Sequence, residues 1–224
     1  MSSSIFKYKK FEDKSLSIFK ELKIWFAGVD SFNDPFDFDS KLLKASLEQV
    51  KNICENYSSE ISLLDFSQIG VFSTSRTRKN QLMWSHYADE HRGFCIGFDR
   101  LKLEGHLKDV TSVDVRYQST YPISEISKKL EAGAAENIDL EFLKYKYSYW
   151  RYEREWRLIG RNLGGKGVEI DGKMIRSVAF GLRMKEEDKS RLREILSSSE
   201  FSHVQIYQSE CNDDKFGLKF TRLN

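Results

Sequence analysis

The sequence predicts a single α+β domain, spanning residues 1–224, in which a mixed or mainly antiparallel sheet (or sheets) is flanked by helices. Three observations lead there. Alternating or continuous apolar runs bounded by glycine and turn residues recur along the chain and read as strands. Helical patterns interrupt them irregularly, which favours α+β over a regularly alternating α/β fold. The 224 residues show no internal repeat, low-complexity segment or linker-like break, and a chain of this length can bury a large core.

The elements follow in order. Ile5–Lys9 alternates as a first strand, and Ser15–Leu22 has apolar positions at helical spacing (Leu16, Phe19, Leu22), with Ser15 or Asp13 as its cap. Lys23–Gly28 reads as a buried strand ended by glycine. The loop Phe32–Asp37 (FNDPFD) carries strong turn chemistry, because Pro35 fixes its own φ and keeps Asp34 out of the helical region. Its Phe32 and Phe36 are expected to anchor it to the core. Ser40–Tyr57 is a helix capped by Ser40, with Leu42, Leu43, Leu47, Val50 and Ile53 apolar. Ile69–Ser75 is a strand, Asn80 or Arg78–Lys79 precedes a short helix around Trp84, and Gly93–Asp99 returns as a central strand.

Val113–Tyr117 alternates and reads as a half-exposed strand. Helices are expected over Ile123–Glu131 and Ile138–Tyr149, then a strand over Glu155–Gly160. The glycines at Gly164, Gly165 and Gly167 are expected to close a hairpin onto Val168–Ile170. Asp171–Gly172 turns into a strand Ile175–Leu182, Lys185–Leu196 is an amphipathic helix, and Val204–Tyr207 with Phe216–Phe220 make a closing pair of strands.

Charge leaves nucleic acid possible as a partner without pointing to it. With 36 basic and 34 acidic residues the net charge is +2, so nucleic acid is not indicated as a partner. Arg76, Arg78 and Lys79 form a local basic cluster, suited either to a phosphate or to a solvated loop. The three cysteines (Cys54, Cys95, Cys211) have no metal spacing, and Cys95 reads as a buried small hydrophobe. Met1–Ser4 runs into IFKYKKF without an apolar core, and no apolar run nears the roughly 20 residues of a membrane helix. A cytoplasmic, reduced protein without a membrane partner is expected.

Candidate chemistry gathers in three stretches: Phe32–Asp37, Gln81–Asp99 and Trp150–Arg157. Glu153 and Glu155 lie two apart near a strand start, so they are expected on one face with Arg157; one glutamate held ionised by the arginine leaves the other to act as a base or electrostatic stabiliser. The same spacing equally fits a structural Arg–Glu ladder. Trp84 and Tyr87 offer aromatic wall, and His91 and Arg92 a rim at a helix-to-strand turn, where Arg92 can hold a phosphate or cap local carbonyls. Asn33, Asp34 and Asp37 suit a metal, a ribose hydroxyl pair, or the turn itself. Ser73 and Ser75 alternate on a strand and suit a ligand hydroxyl or amide. Glycine-rich nucleotide loops, HExxH, paired CxxC and GxSxG are absent, against dehydrogenase, P-loop NTPase, zincin and serine hydrolase readings.

Together, Phe6–Lys9 (FKYK), FNDPFD, Ser73–Ser75, Trp84–Asp99 (WxHYAxxHxGFCIGFD), Trp150–Arg157 (WxYExEWR) and Gly181–Arg183 (GLR) resemble a bacterial family designated a domain of unknown function. At the level of the fold the chain is also similar to ADP-ribosyltransferases. These place a basic residue or His on an early strand, a Ser, Thr or Tyr on a middle strand and a Glu at a late strand start. Lys7 or Lys9, Ser73 to Ser75, and Glu153 or Glu155 stand here in that order, with Lys where Arg or His is usual. The resemblance implies an NAD-using transferase or NAD glycohydrolase, acting as an intracellular toxin or antiphage effector on a macromolecular or small-molecule acceptor. Glu155 and Glu153 are then the catalytic candidates. Lys7, Tyr8, Asn33, Ser73, Ser75, Trp84, Tyr87, His91, Arg92 and Arg157 are the candidates for binding NAD, with Trp84, Tyr87 or Trp150 stacking on nicotinamide. Two rival expectations are a metal-dependent nuclease or phosphoesterase built from Asp34, Asp37, His86, His91 and Glu153, and a non-enzymatic sensor or interaction module.

Overall fold

The computed structural model describes residues 4–37, 40–57, 66–133 and 137–224, the side chains of 40–43 excepted. The expected cap Ser40 and the apolar positions Leu42 and Leu43 therefore lie outside the described side chains. The first part of the chain runs β1 (Ser4–Lys9), α1 (Asp13–Lys20), β2 (Lys23–Gly28), α2 (Ser40–Ile53), β3 (Gly70–Ser75), α3 (Gln81–Tyr87), β4 (Phe94–Asp99), α4 (Arg100–His106), β5 (Val110–Asp114), β6 (Arg116–Gln118), α5 (Ile123–Glu131) and α6 (Ile138–Phe142). It continues through β7 (Tyr145–Tyr147), β8 (Glu155–Gly160), β9 (Lys166–Glu169), β10 (Ile175–Phe180), α7 (Glu186–Leu196), β11 (Gln205–Cys211) and β12 (Leu218–Arg222). The expected α+β class is the observed one. No helix among the described residues is long and apolar enough to cross a membrane.

Ten of the described strands join one sheet in the order β12-β11-β10-β4-β1-β3-β2-β9, with β8 beside β3 and β5 beside β8. Its pairings are antiparallel except β10 with β11; β6 and β7 form a separate parallel pair. The order contains a fork. One edge of β3 is covered along its length by β8, from Gly70↔Gly160 to Ser75↔Glu155. Its other edge is shared, with β1 pairing only at Ser75 and β2 only at Gly70 and Val71. Between them the two strands part, and a cleft opens over Phe72–Thr74.

Apolar packing fixes this arrangement. Ile5, Ile96, Phe98, Val178 and Phe180 of the central strands bury against Leu16, Phe19, Leu192 and Leu196 of α1 and α7. On the opposite face Tyr8, Cys95 and Ala179 pack on Met83 and Trp84 of α3. A further cluster sets Val71 and Ile159 against Val50, Ile126, Leu140 and Phe142 from α2, α5 and α6. Asn80 starts α3 by accepting from the Leu82 and Met83 amides, and Asp99 starts α4 in the same way.

Several expectations need correction. The glycine turn after β8 does not close a hairpin: β9 pairs with β2, because both edges of β8 are already taken by β3 and β5. The strand expected over Val113–Tyr117 begins at Val110 and breaks at Val115, so its halves serve different sheets. The helix expected to reach Tyr149 stops at Phe142. Tyr145–Tyr147 instead pairs with β6, where aromatic residues favour an extended, half-buried chain. Helix α4 was not expected at all. Helix α1 starts at Asp13, with Glu12 at the cap position and Ser15 buried inside the helix. Phe36 is 66% exposed and anchors nothing, whereas Phe32 packs inward.

Two of the motifs behind the family resemblance interlock. The Gly181 amide donates to the Gly93 carbonyl (2.9 Å) and the Arg183 amide to the His91 carbonyl (2.9 Å). A Cβ on Gly181 would stand 2.1 Å from the His91 oxygen, backbone that cannot swing aside. Gly181→Ala is accordingly expected to destabilise the fold by about 2 kcal/mol or more, through steric strain alone. Urea unfolding checks this; a midpoint unchanged from wild type would contradict it.

Candidate functional site

Three segments deliver charge to one place. On β3 and β8 the register sets Ser73 opposite Arg157 and Ser75 opposite Glu155, so the alternation of both strands turns these four side chains to one face. Glu153 arrives differently. It ends a 3₁₀ segment, Ser148–Glu153, and Arg154 then turns the chain in the left-handed region (φ 46°) before β8 begins. The turn is held by the Ser75 hydroxyl donating to the Glu153 carbonyl (2.6 Å) and by the Arg76 amide donating to the Arg154 carbonyl (2.9 Å). Asp37 comes from the FNDPFD loop, whose turn is closed by the Phe36 amide donating to Asp34 Oδ1 (3.0 Å).

The result is a buried ion cluster. Arg157, 1% exposed, donates from Nε to Glu155 Oε1 (2.8 Å), from Nη2 to Asp37 Oδ2 (2.6 Å) and from Nη1 to the Leu143 carbonyl (2.9 Å). Lys146 on β7 places its ammonium 2.8 Å from Glu153, 3.2 Å from Asp37 and 3.4 Å from Glu155. The Tyr87 hydroxyl donates to Glu153 Oε1 (2.5 Å) and accepts from Asn33 Nδ2 (3.0 Å). Lys7 closes the fork in the sheet, donating to the Ser73 carbonyl at 2.6 Å over the Phe72 ring. All of these side chains except Arg157 line a cavity of about 420 Å³ with Phe6, Trp25, Phe32 and Phe72.

Environment separates the two glutamates. Burial disfavours ionisation of Glu155, but the charges of Arg157 and Lys146 and a hydrogen bond from Ser73 outweigh it and hold the carboxyl down at about 2. Burial and the negative charge of Glu155 push Glu153 above the usual glutamate range, against the pull of Lys146 and the Tyr87 hydrogen bond. Burial also lowers Lys7, with Lys9 acting in the same direction, to about 7 despite the attraction of Glu155 and Glu153. The cleft thus holds a fixed anion, a carboxyl poised to exchange a proton and an amine that exchanges one near neutrality.

Of the residues singled out in the sequence, Lys7, Tyr8, Asn33, Asp37, Ser73, Ser75, Tyr87, Glu153 and Glu155 line the cleft, and Arg157 anchors it from beneath. The side chain of Tyr8 points to the other face of β1, where its hydroxyl donates to the Thr77 carbonyl (2.8 Å). Trp84 is fully buried, its indole donating to the Arg78 carbonyl. His91 stacks on Trp84, and Arg92 pairs with Asp89 and Glu90; neither lines the cleft. Trp150 lies against Lys146 rather than in the cavity lining. The basic cluster has structural partners: Arg76 pairs with Asp114, and Arg78 lies over the rings of Tyr207, Phe220 and Phe6. The expected metal set is not assembled, since Asp37 and Glu153 meet on Lys146 while His86 lies exposed beside Tyr87 and Tyr152. Among the described residues no three His, Cys, Asp or Glu side chains group as ligands.

Sequence reasoning missed Lys146, hidden in a stretch read as helix. The alternation Tyr145-Lys146-Tyr147-Ser148-Tyr149 was the available signal, since a strand presents Lys146 and its neighbours to opposite faces. It also missed Tyr117, whose hydroxyl accepts the Glu155 amide (2.8 Å).

Residues 83–158 match the model of a family described as a protein of unknown function (DUF2971). The matched stretch holds Tyr87, Lys146, Glu153, Glu155 and Arg157, and leaves Lys7, Asn33, Asp37 and Ser73 outside. No curated protein and no solved structure matches the chain.

The cluster makes stability depend on pH with a definite sign. The folded-state pKa of Glu155 lies below its unfolded value of about 4.3, so its contribution is present above that value and is lost as pH falls toward about 2. Arg157→Met leaves three buried carboxylates to the single ammonium of Lys146 and is expected to cost about 3–5 kcal/mol at pH 7. The loss should be smaller at pH 3, where protonation relieves Glu155 in the variant. Urea unfolding at the two pH values checks this, and equal losses would contradict it.

Proposed function

We propose that the cleft binds NAD and breaks its nicotinamide–ribose bond, passing ADP-ribose to water or to an acceptor hydroxyl. The observation that carries this reading is the pair of glutamates side by side in one cleft on Lys146, Glu155 also locked by Arg157 and Glu153 held instead by the Tyr87 hydroxyl. In the reaction the C1′–N bond breaks and its electron pair leaves with nicotinamide, whose ring loses its positive charge. Positive charge builds on C1′ and the ribose ring oxygen. Glu155, kept ionised by Arg157 and Lys146, supplies a fixed negative field for that charge. The oxygen of water or acceptor then bonds to C1′, and Glu153 takes its proton. The raised pKa suits Glu153 to that role, and Tyr87 orients its carboxylate.

Further support comes from the order Lys7, Ser73, Glu153 along one cavity, the arrangement implied by the resemblance to ADP-ribosyltransferases. Trp84 is not available for stacking; Tyr87 and Phe32 are the aromatic walls beside the glutamates. Consumption of NAD inside a cell would be toxic, which fits a toxin or antiphage effector.

Wild-type protein should release nicotinamide from NAD. Glu153→Gln is expected to lower kcat about 10²–10⁴-fold, the usual worth of a general base, with the fold retained. Chromatography of nicotinamide release together with circular dichroism checks both. No turnover by wild type with water, protein or nucleic-acid acceptors would overturn the reading.

A further inference from the structure

The cleft has a second end with the opposite electrical character. Away from the glutamates it is lined by Lys9 of β1, Lys14 of α1 and Lys23 and Trp25 of β2, with Glu12 as the carboxylate among them. Lys9 follows Lys7 by two along β1, so both project to the same face. Lys9 makes no ion pair or hydrogen bond from its ammonium among the described residues. Burial and the charge of Lys14 lower its pKa, and Glu12 compensates in part. Lys14 lies over the Trp25 ring at 5.9 Å, and Lys23 reaches Glu169 only at 3.9 Å. Trp25 is 51% exposed although it lies on a strand whose neighbours Ile24 and Phe26 are fully buried.

Lys9 and Lys14 repel each other and Glu12 offsets this only in part, so an anion that joined them would stabilise the protein. A large exposed ring beside them adds a flat stacking surface. From the lysines, the exposed Trp25 and the limited size of the cavity, we infer that this end binds the diphosphate of a nucleotide, with the base against Trp25. The inference rests on reading the same cleft as an NAD site. It fixes the ligand's direction: the reacting ribose at Glu153, the diphosphate at Lys9 and Lys14, and the adenine at Trp25.

The test uses the full chain and three probes, ADP, inorganic pyrophosphate and adenosine, with calorimetry at low salt. ADP should bind, pyrophosphate more weakly, and adenosine least. The double variant Lys9→Ala/Lys14→Ala should lose at least tenfold in ADP affinity, and its unliganded melting temperature should hold or rise, because a repulsion is removed. Trp25→Ala should weaken ADP while leaving pyrophosphate unchanged. ADP affinity unaltered by the double variant, or no binding of ADP and pyrophosphate by wild type, would overturn the inference. The two readings fail separately. ADP binding that depends on the lysines, without NAD turnover, sinks the transferase and keeps the diphosphate site. NAD turnover with an unchanged KM in the double variant does the reverse.

Discussion

One ammonium, that of Lys146, faces three carboxylates, and the character of the cleft follows from that inequality. Arg157 takes up two of the three, Glu155 and Asp37, through several short hydrogen bonds. Glu153 keeps only the lysine and a neutral tyrosine. Burial weighs on both glutamates, so the less compensated of the two, Glu153, is the one that resists ionisation. Asp37, Lys146, Glu153 and Arg157 also tie a loop, a short strand, a 3₁₀ turn and a central strand to one point.

The fork in the sheet opens the cluster to the cavity. Because β1 and β2 share one edge of β3 without meeting over Phe72–Thr74, backbone that a continuous sheet would consume is left for the cleft, and Lys7 satisfies the Ser73 carbonyl there. The cost of burying the Lys7 ammonium appears as its lowered pKa. The same parting exposes Trp25 and gathers Lys9, Lys14 and Lys23 at the far end, so a single topological feature yields a cavity of two polarities.

Much of this was legible in the sequence. Strands β1, β3 and β8 are legible in the sequence, but β7 is not, and nothing local in the three dense stretches decides whether Asn33, Tyr87, Glu153 and Arg157 meet. Local pattern failed where tertiary context decides. Periodicity could not show that both edges of β8 would be occupied, so the hairpin to β9 was misread. An amphipathic stretch ending in alternating tyrosines was read as one helix, which hid Lys146. Trp84 reads as pocket wall and His91 as its rim because aromatic and imidazole groups serve cores and sites alike; packing of α3 against β4 buries Trp84, and the half-buried His91 stacks on it.

The neighbouring glutamates of the cleft are held in different protonation behaviour. Carbon-13 NMR titration of the side-chain carboxyls, assigned with Glu153→Gln and Glu155→Gln, measures it directly. Glu155 should titrate near pH 2, and Glu153 above the value of an exposed glutamate. Two coincident titrations near about 4.3, the unperturbed glutamate value, would contradict the account.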